Sequence, residues 1–337
     1  RKFNNGSREG TWTGWHNDGT RWMVETYKDD KENGPFYKWR YGEVPEFEGH
    51  YENGKKTGKW IYYYESGVPE FGGEYKNGKR IGKWNRWHDV SGQIFAISHY
   101  KYGKLNGEYV EINEAGNISV HGEYKKGKKN GKWISLNDDN KVEIEFNYKD
   151  GKLHGKKVYF SKIEKRAKEE FYKNGVLYKE IGYHKDTGTK FNEFNYVDDK
   201  KEGKYTEFTN NGIMICKGQY KNNEKDGKWS YLNKDGKEHT EKNYLEGKLN
   251  GDVIKWHPNQ KLWIDSKYVN NKKHGVIKSF HINGEKSTLE NWSEGKKEGK
   301  WTNWHNNGNK KMETVYSKGV IQGKRVDWYV SGKLKNE

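Results

Sequence analysis

The stretch GHYENGKKTGKWIYYYESG, residues 49–67, decides the fold. It sets Asn53-Gly54 between two short runs, places a second glycine at Gly58, crowds rings into Trp60 to Tyr64 and closes on Gly67. Asn-Gly tolerates the positive φ that tight hairpin turns demand. The flanking runs of roughly six to eight residues are rich in Trp, Tyr, Ile and Thr, which is strand length and strand composition. The stretch reads as one β-hairpin.

From Gly58 the same glycine recurs at Gly10, Gly34, Gly82, Gly107, Gly131, Gly155, Gly203, Gly227, Gly251, Gly275, Gly299 and Gly323. The step is 24 residues, except for 25 between Gly82 and Gly107 and 48 between Gly155 and Gly203, where Lys179 takes the glycine's place. A fixed period of this size dictates a repeat architecture. Seven residues before every landmark stands a ring, from Phe3 and Tyr27 through Tyr51 and Tyr75 to Trp292 and Tyr316. Two after it a ring is usual (Trp12, Trp60, Trp84, Trp133, Trp229, Trp301), five after it another bulky group follows, and nine after it a second glycine recurs.

Fourteen 24-residue hairpins joined by short turns predict an all-β chain. Its form is an elongated single-layer antiparallel β-meander, a repeat ribbon advancing ~9.6 Å per unit and reaching about 130 Å. One array is expected over residues 1–337, with a degenerate segment at 156–195 that loses the landmark glycine and carries the charged run Ser161 to Glu170. A single layer has no second sheet to pack on. Cohesion therefore falls to rings that each bury 150–250 Å² against the next hairpin, and stability approaches a sum of nearest-neighbour contributions.

Composition supports this reading. The AVILMFWYC fraction is only 31 % and the net charge is +16, a balance that by itself suggests disorder, but Trp 15, Tyr 25 and Phe 12 are far more rings than disordered chains carry. No stretch approaches the ~20 consecutive apolar residues of a membrane-spanning helix, and no signal-peptide core is visible, so a soluble chain is expected. The chain opens at Arg1 rather than Met, which leaves room for a removed upstream segment. The compartment stays open between a bacterial cell envelope, reached by export, and the cytoplasm. The single Cys216 excludes disulfides and Cys-based metal sites.

The phrases GHYENGKKTGKWIYYYESG (49–67), GEYKNGKRIGKWNRWHDVSG (73–92) and GEYKKGKKNGKWISL (122–136) resemble MORN repeats, and more closely the bacterial variant that reads G-x-Y-x-x-G-K-x-x-G-x-W and is often called antitoxin-like. The resemblance covers essentially the whole chain. It implies an antiparallel sheet of hairpins, no catalytic residues, and functions in scaffolding, protein binding and, for some members, association with anionic lipid.

Chemistry is sought against that periodic background. Five of the twelve histidines stand six after their landmark (His16, His88, His257, His281, His305). Equivalent positions in neighbouring hairpins lie about 9.6 Å apart, whereas ligands of one Zn²⁺ must each sit ~2.0–2.1 Å from it. They cannot share an ion, and they read as polar residues closing a strand. Glycines that recur in phase are turn elements and not phosphate loops, which need a strand, G-x-x-x-x-G-K-[ST] and a helix. No enzymatic activity, cofactor, metal or small-molecule substrate is expected.

The lysines and the outer tryptophans remain. Lysine stands three before the landmark in ten copies, among them Lys55, Lys79, Lys104 and Lys128, and one after it in eight. Both columns are read as flanking one turn and forming a basic stripe that attracts anionic lipid or nucleic acid, or simply keeps an exposed sheet soluble. Ring columns two and five after the landmark have opposite parity, so they point to opposite faces unless a bulge intervenes. The tryptophans of the second column (Trp15, Trp39, Trp87, Trp256, Trp304, Trp328) gather toward both ends of the chain and are the candidates for partner contact. The leading expectation is a non-enzymatic scaffold presenting a repetitive β-surface to another protein within a larger assembly. The alternatives are an electrostatic binder of anionic lipid or nucleic acid through the lysine edge, and a glycan binder through the tryptophan rows.

Overall fold

The computed structural model describes residues 2–337. It holds 34 strands and one 3₁₀ turn at Tyr41–Glu43, and strands pair antiparallel with their sequence neighbours. The expected all-β meander of hairpins is thus what forms. Its described residues fall into two compact units. One runs to Glu164 and includes Tyr172–Gly175; the other comprises Lys165–Phe171 and Val176–Glu337.

Each hairpin closes on two residues that both have positive φ, as at Asn53 (49°) and Gly54 (75°), and this recurs from Asn5-Gly6 to Lys318-Gly319. Two left-handed residues are the signature of the type I′ turn, whose twist matches that of the flanking strands. The opposite loop is longer. In it Tyr64 N–H donates to the Val68 carbonyl and Gly67, at φ 86°, donates back to Tyr64. The single 25-residue step is absorbed here, where His88 N–H reaches Gln93 instead of a residue four away.

The landmark glycine is not at a turn. Gly58 (φ 62°) lies inside strand Lys55–Tyr63, at the point where the register against strand Pro45–Glu52 jumps from His50↔Thr57 to Glu48↔Ile61. Three residues, 58–60, therefore oppose Gly49 alone, which makes a bulge with two extra residues. His154 and His274, each one before its landmark, sit at the same bulge and donate their amides to the Asn147 and Lys267 carbonyls. Lys179 stays out of the left-handed region, so the degenerate copy lacks this glycine bulge, yet its strand Val176–Tyr183 still pairs with Lys190–Val197. The charged run is a turn followed by the start of strand Arg166–Lys173.

The bulge explains the rings. At the bulge the Trp60 indole N–H folds back onto the His50 carbonyl at 3.2 Å; Trp84, Trp133, Trp229 and Trp301 do the same to Glu74, Glu123, Gln219 and Asn291. Each indole then lies flat on the backbone opposite. A Cβ on Gly49, Gly73, Gly122 or Gly218 would come within 2.1–2.4 Å of the ring, which is why those positions are glycine. Tyrosines seal the edges: Tyr51 and Tyr75 stand edge-on to Trp60 at 5.1 and 5.9 Å, Tyr124 to Trp133 at 5.1 Å, and Tyr220 to Trp229 at 5.2 Å. This is the favoured geometry of ring quadrupoles. One face of each unit is thereby paved, with Trp60, Trp133 and Trp229 almost wholly buried.

Candidate interaction surface

Above each indole sits a cation that the sequence reading passed over. Lys56, Arg80, Lys129, Lys225 and Lys297, two before the landmark, hold their charge 4.0–4.5 Å over Trp60, Trp84, Trp133, Trp229 and Trp301. The ring is sandwiched between backbone and cation. Burial pulls the Lys56 ammonium below its ordinary range. The signal was in the sequence: each tryptophan two after a landmark has Lys or Arg two before it, including Arg8 with Trp12, whereas Leu105 and Leu249 precede Tyr109 and Val253.

The ring five after the landmark takes the opposite face, as parity requires. Trp39, Trp87, Trp256, Trp304 and Trp328 are half-buried there, and Trp15 is 61 % exposed. Several are covered by a cation from the strand before: Arg21 lies 4.9 Å over Trp39, Lys286 6.0 Å over Trp304 and Lys310 5.5 Å over Trp328. Trp87 instead lines a shallow hollow of about 250 Å³ with Lys59 and Lys83. Hydroxyls on this face meet carboxylates. Tyr63 donates to Glu48 at 2.9 Å, and burial followed by that bond pushes its phenol up to about 12.

The two lysine columns do not form one stripe. The lysine one after the landmark lies within the bulge and points to the open face, where Lys132, Lys228, Lys300 and Lys324 pair with Glu145, Glu241, Glu313 and Glu337. Those charges are neutralised locally. The lysine three before the landmark is the first residue after the hairpin turn, and Lys55, Lys79, Lys104 and Lys128 are all exposed. Lys55 and Lys79 share a hollow of about 390 Å³. Because a strand such as Lys55–Tyr63 separates that edge from the outer rings by roughly 25 Å, the candidate lysines and tryptophans belong to different surfaces.

Four of the five histidines six after the landmark tie consecutive hairpins together. Ring N–H groups of His257, His281 and His305 donate to the carbonyls of Phe280, Trp304 and Trp328 at 2.9–3.1 Å, and His16 reaches Trp39 at 3.4 Å. At the other edge the turn amides do the same work, Gly78 N–H donating to Lys56 and Gly151 N–H to Lys129. Among the described residues no group of three or more His, Cys, Asp or Glu could hold a metal ion. Cys216 is buried, and burial pushes its thiol up to about 11.

The paved face, the open face and the bonded edges define an all-β hairpin-repeat protein, a kind of surface suited to binding or scaffolding. Residues 56–77, 201–222 and 297–318 match the family described as MORN repeat variant, so these stretches of the chain are MORN-type repeats. No curated protein matches its sequence. Among solved structures, a crystal structure of TcdB2-TccC3-Cdc42 aligns at 11 % identity over 99 % of this chain and 21 % of its own, with a TM-score of 0.19. The Photorhabdus luminescens Tc holotoxin pore carrying TccC3-D651A aligns at 11 % identity over 96 % and 18 %, with a TM-score of 0.18. An alternansucrase in complex with isomaltononaose aligns at 15 % identity over 86 % and 23 %, with a TM-score of 0.17. The chain thus spans about a fifth of the length of these structures.

Proposed function

We propose that the protein is a non-enzymatic interaction scaffold whose open face binds another protein within a larger assembly. The observation that carries this reading is the division of rings between the faces. Those two after the landmark are consumed in the ladder, while those five after it recur half-buried among Lys, Glu and hydroxyl groups on the face the ladder leaves open. A repeated row of half-exposed aromatics with a polar surround matches the composition of protein interfaces, where rings anchor and a polar rim surrounds them. Crosslinking in the source cells, with the linked residues mapped by mass spectrometry, tests it. Links from Lys59, Lys83 and Lys300 to one recurrent partner, lost when Trp87 and Trp304 are changed to Ala, are expected. No recurrent partner, or links indifferent to those changes, would falsify the reading.

A further inference from the structure

The residues flanking the hairpin turns of the first unit are arranged at a cost to the fold. Directly opposite one another beside the turn stand Lys28 and Lys31, Lys76 and Lys79, Lys101 and Lys104, Lys125 and Lys128, and Lys149 and Lys152. Like charges facing each other across a ladder are destabilising. All ten are exposed, and among the described residues none is in an ion pair. Three successive turns read K-N-G-K (76–79), K-Y-G-K (101–104) and K-K-G-K (125–128), which is seven lysines and no carboxylate in twelve residues. At ~9.6 Å per hairpin they cover about 20 Å of edge. Between the first two turns lies the hollow of about 390 Å³, walled by Lys55, Lys76, Lys79 and the ring of Tyr102, which is 73 % exposed at the tip of its turn.

We infer that this edge binds single-stranded nucleic acid. The turn lysines run along its phosphates and a base stacks on Tyr102. A linear polyanion is the ligand that matches the lysines of the three turns 76–79, 101–104 and 125–128, which hold no carboxylate among them, and an exposed ring beside a cationic track is the pairing by which single strands are held without sequence preference. This surface is separate from the open face, so the inference stands or falls independently of the scaffold reading.

The test is fluorescence anisotropy of a labelled oligothymidylate with the full chain across a salt series. Single strands lose affinity with a slope of about −0.7 per phosphate neutralised, so changing Lys76, Lys79, Lys101 and Lys104 to Gln should flatten the log–log slope by about 3. Changing Lys248, Lys272 and Lys296 of the second unit to Gln should leave it unaltered. Tyr102→Ala should weaken oligonucleotide binding about five- to 150-fold and leave binding of inorganic polyphosphate as it was. These exposed changes remove like-charge pairs, and circular dichroism confirms the fold in each. The inference is overturned if the quadruple variant binds as the parent does, if Tyr102→Ala has no effect on the oligonucleotide, or if phosphatidylcholine vesicles carrying phosphatidylserine bind through the same lysines while the oligonucleotide does not.

Discussion

The two units build the same hairpin and finish it differently. Beside its turns the first unit sets lysine against lysine in five hairpins, whereas the described pairs of the second are Val197 with Lys200, Lys221 with Glu224, Leu245 with Lys248, Val269 with Lys272, Ser293 with Lys296 and Ser317 with Val320. The far edge reverses the emphasis. In the second unit Asn259, Asn283 and Asn307 donate to the carbonyls of Ile282, Asn306 and Val330 beside the histidine bonds, forming a regular ladder. In the first unit the same region is served by unlike residues, Arg40 bonding the Tyr63 and Tyr64 carbonyls and Tyr64 bonding that of Trp87. The comparison separates what folding requires from what it leaves free. Two left-handed turn residues, a bulge and a ring sandwich recur in both units. The side chains flanking the turn do not, and so are open to selection for surface chemistry.

If that separation holds, damage to the ring sandwich should cost both units alike. Trp60→Ala in the first unit and Trp229→Ala in the second are each expected to lose about 3–5 kcal/mol, read as a fall in the urea midpoint of the full chain. A tryptophan that costs far less in one unit would break the equivalence. Gly73→Ala and Gly218→Ala are next. The added methyl would sit 2.4 and 2.3 Å from the indoles of Trp84 and Trp229, and overpacking of this kind costs about 1–3 kcal/mol.

High pH sharpens the comparison from another side. Burial first, and then a hydrogen bond to Glu25, Glu48 or Glu169, pushes the phenols of Tyr27 and Tyr63 in the first unit and Tyr183 in the second up to about 12, and burial followed by the charges of Glu180 and Glu170 does so for Tyr196. A raised folded pKa favours the protonated native state. Stability from these groups is therefore complete below the unfolded value of about 10 and is lost as pH rises from there to about 12. Both units should lose ellipticity over that window, together with the rise in tyrosinate absorbance; a transition confined to one unit, or one finished below pH 10, would contradict it. Tyr27 is buried and Tyr63, Tyr183 and Tyr196 are half-buried, and solvent screening of the half-buried phenols keeps their loss below that of a tryptophan deletion.

The smallest effect belongs to the edge itself. Lys76→Glu turns a like pair with Lys79 into an opposite one and should stabilise by about 0.2–1 kcal/mol, fading as salt screens it. Lys248→Glu, facing Leu245, should gain nothing. Equal responses would show that the paired lysines carry no strain.

Much of this architecture was legible. The period, the two turns per unit and the opposite facing of Trp60 and Tyr63 follow from spacing, because strand parity and turn chemistry are local. The place of Gly58 was not. A glycine followed by lysine looks the same in a turn as in a bulge, and only the partner strand's register distinguishes them, so Lys55 and Lys59 were read as one stripe although the bulge parts them. The lysine at position 56 was missed because its partner, Trp60, is met across a distortion that regular strand geometry does not contain. Of the candidate surface, the columns were readable but not their company: Arg21 covers Trp39 because the residue thirteen before that landmark is basic, whereas the copy of Trp87 has Pro69 there.

That the bulge inserts two residues rather than one has a genetic consequence. Within a strand an even insertion leaves inside and outside where they were, and an odd difference is taken up in the loop, as between His88 and Gln93. Each 24-residue cassette can accordingly be duplicated or deleted whole, its joints already matched to any neighbour, and the lineage is free to tune the number of units by unequal recombination while each sister copy drifts at its rims.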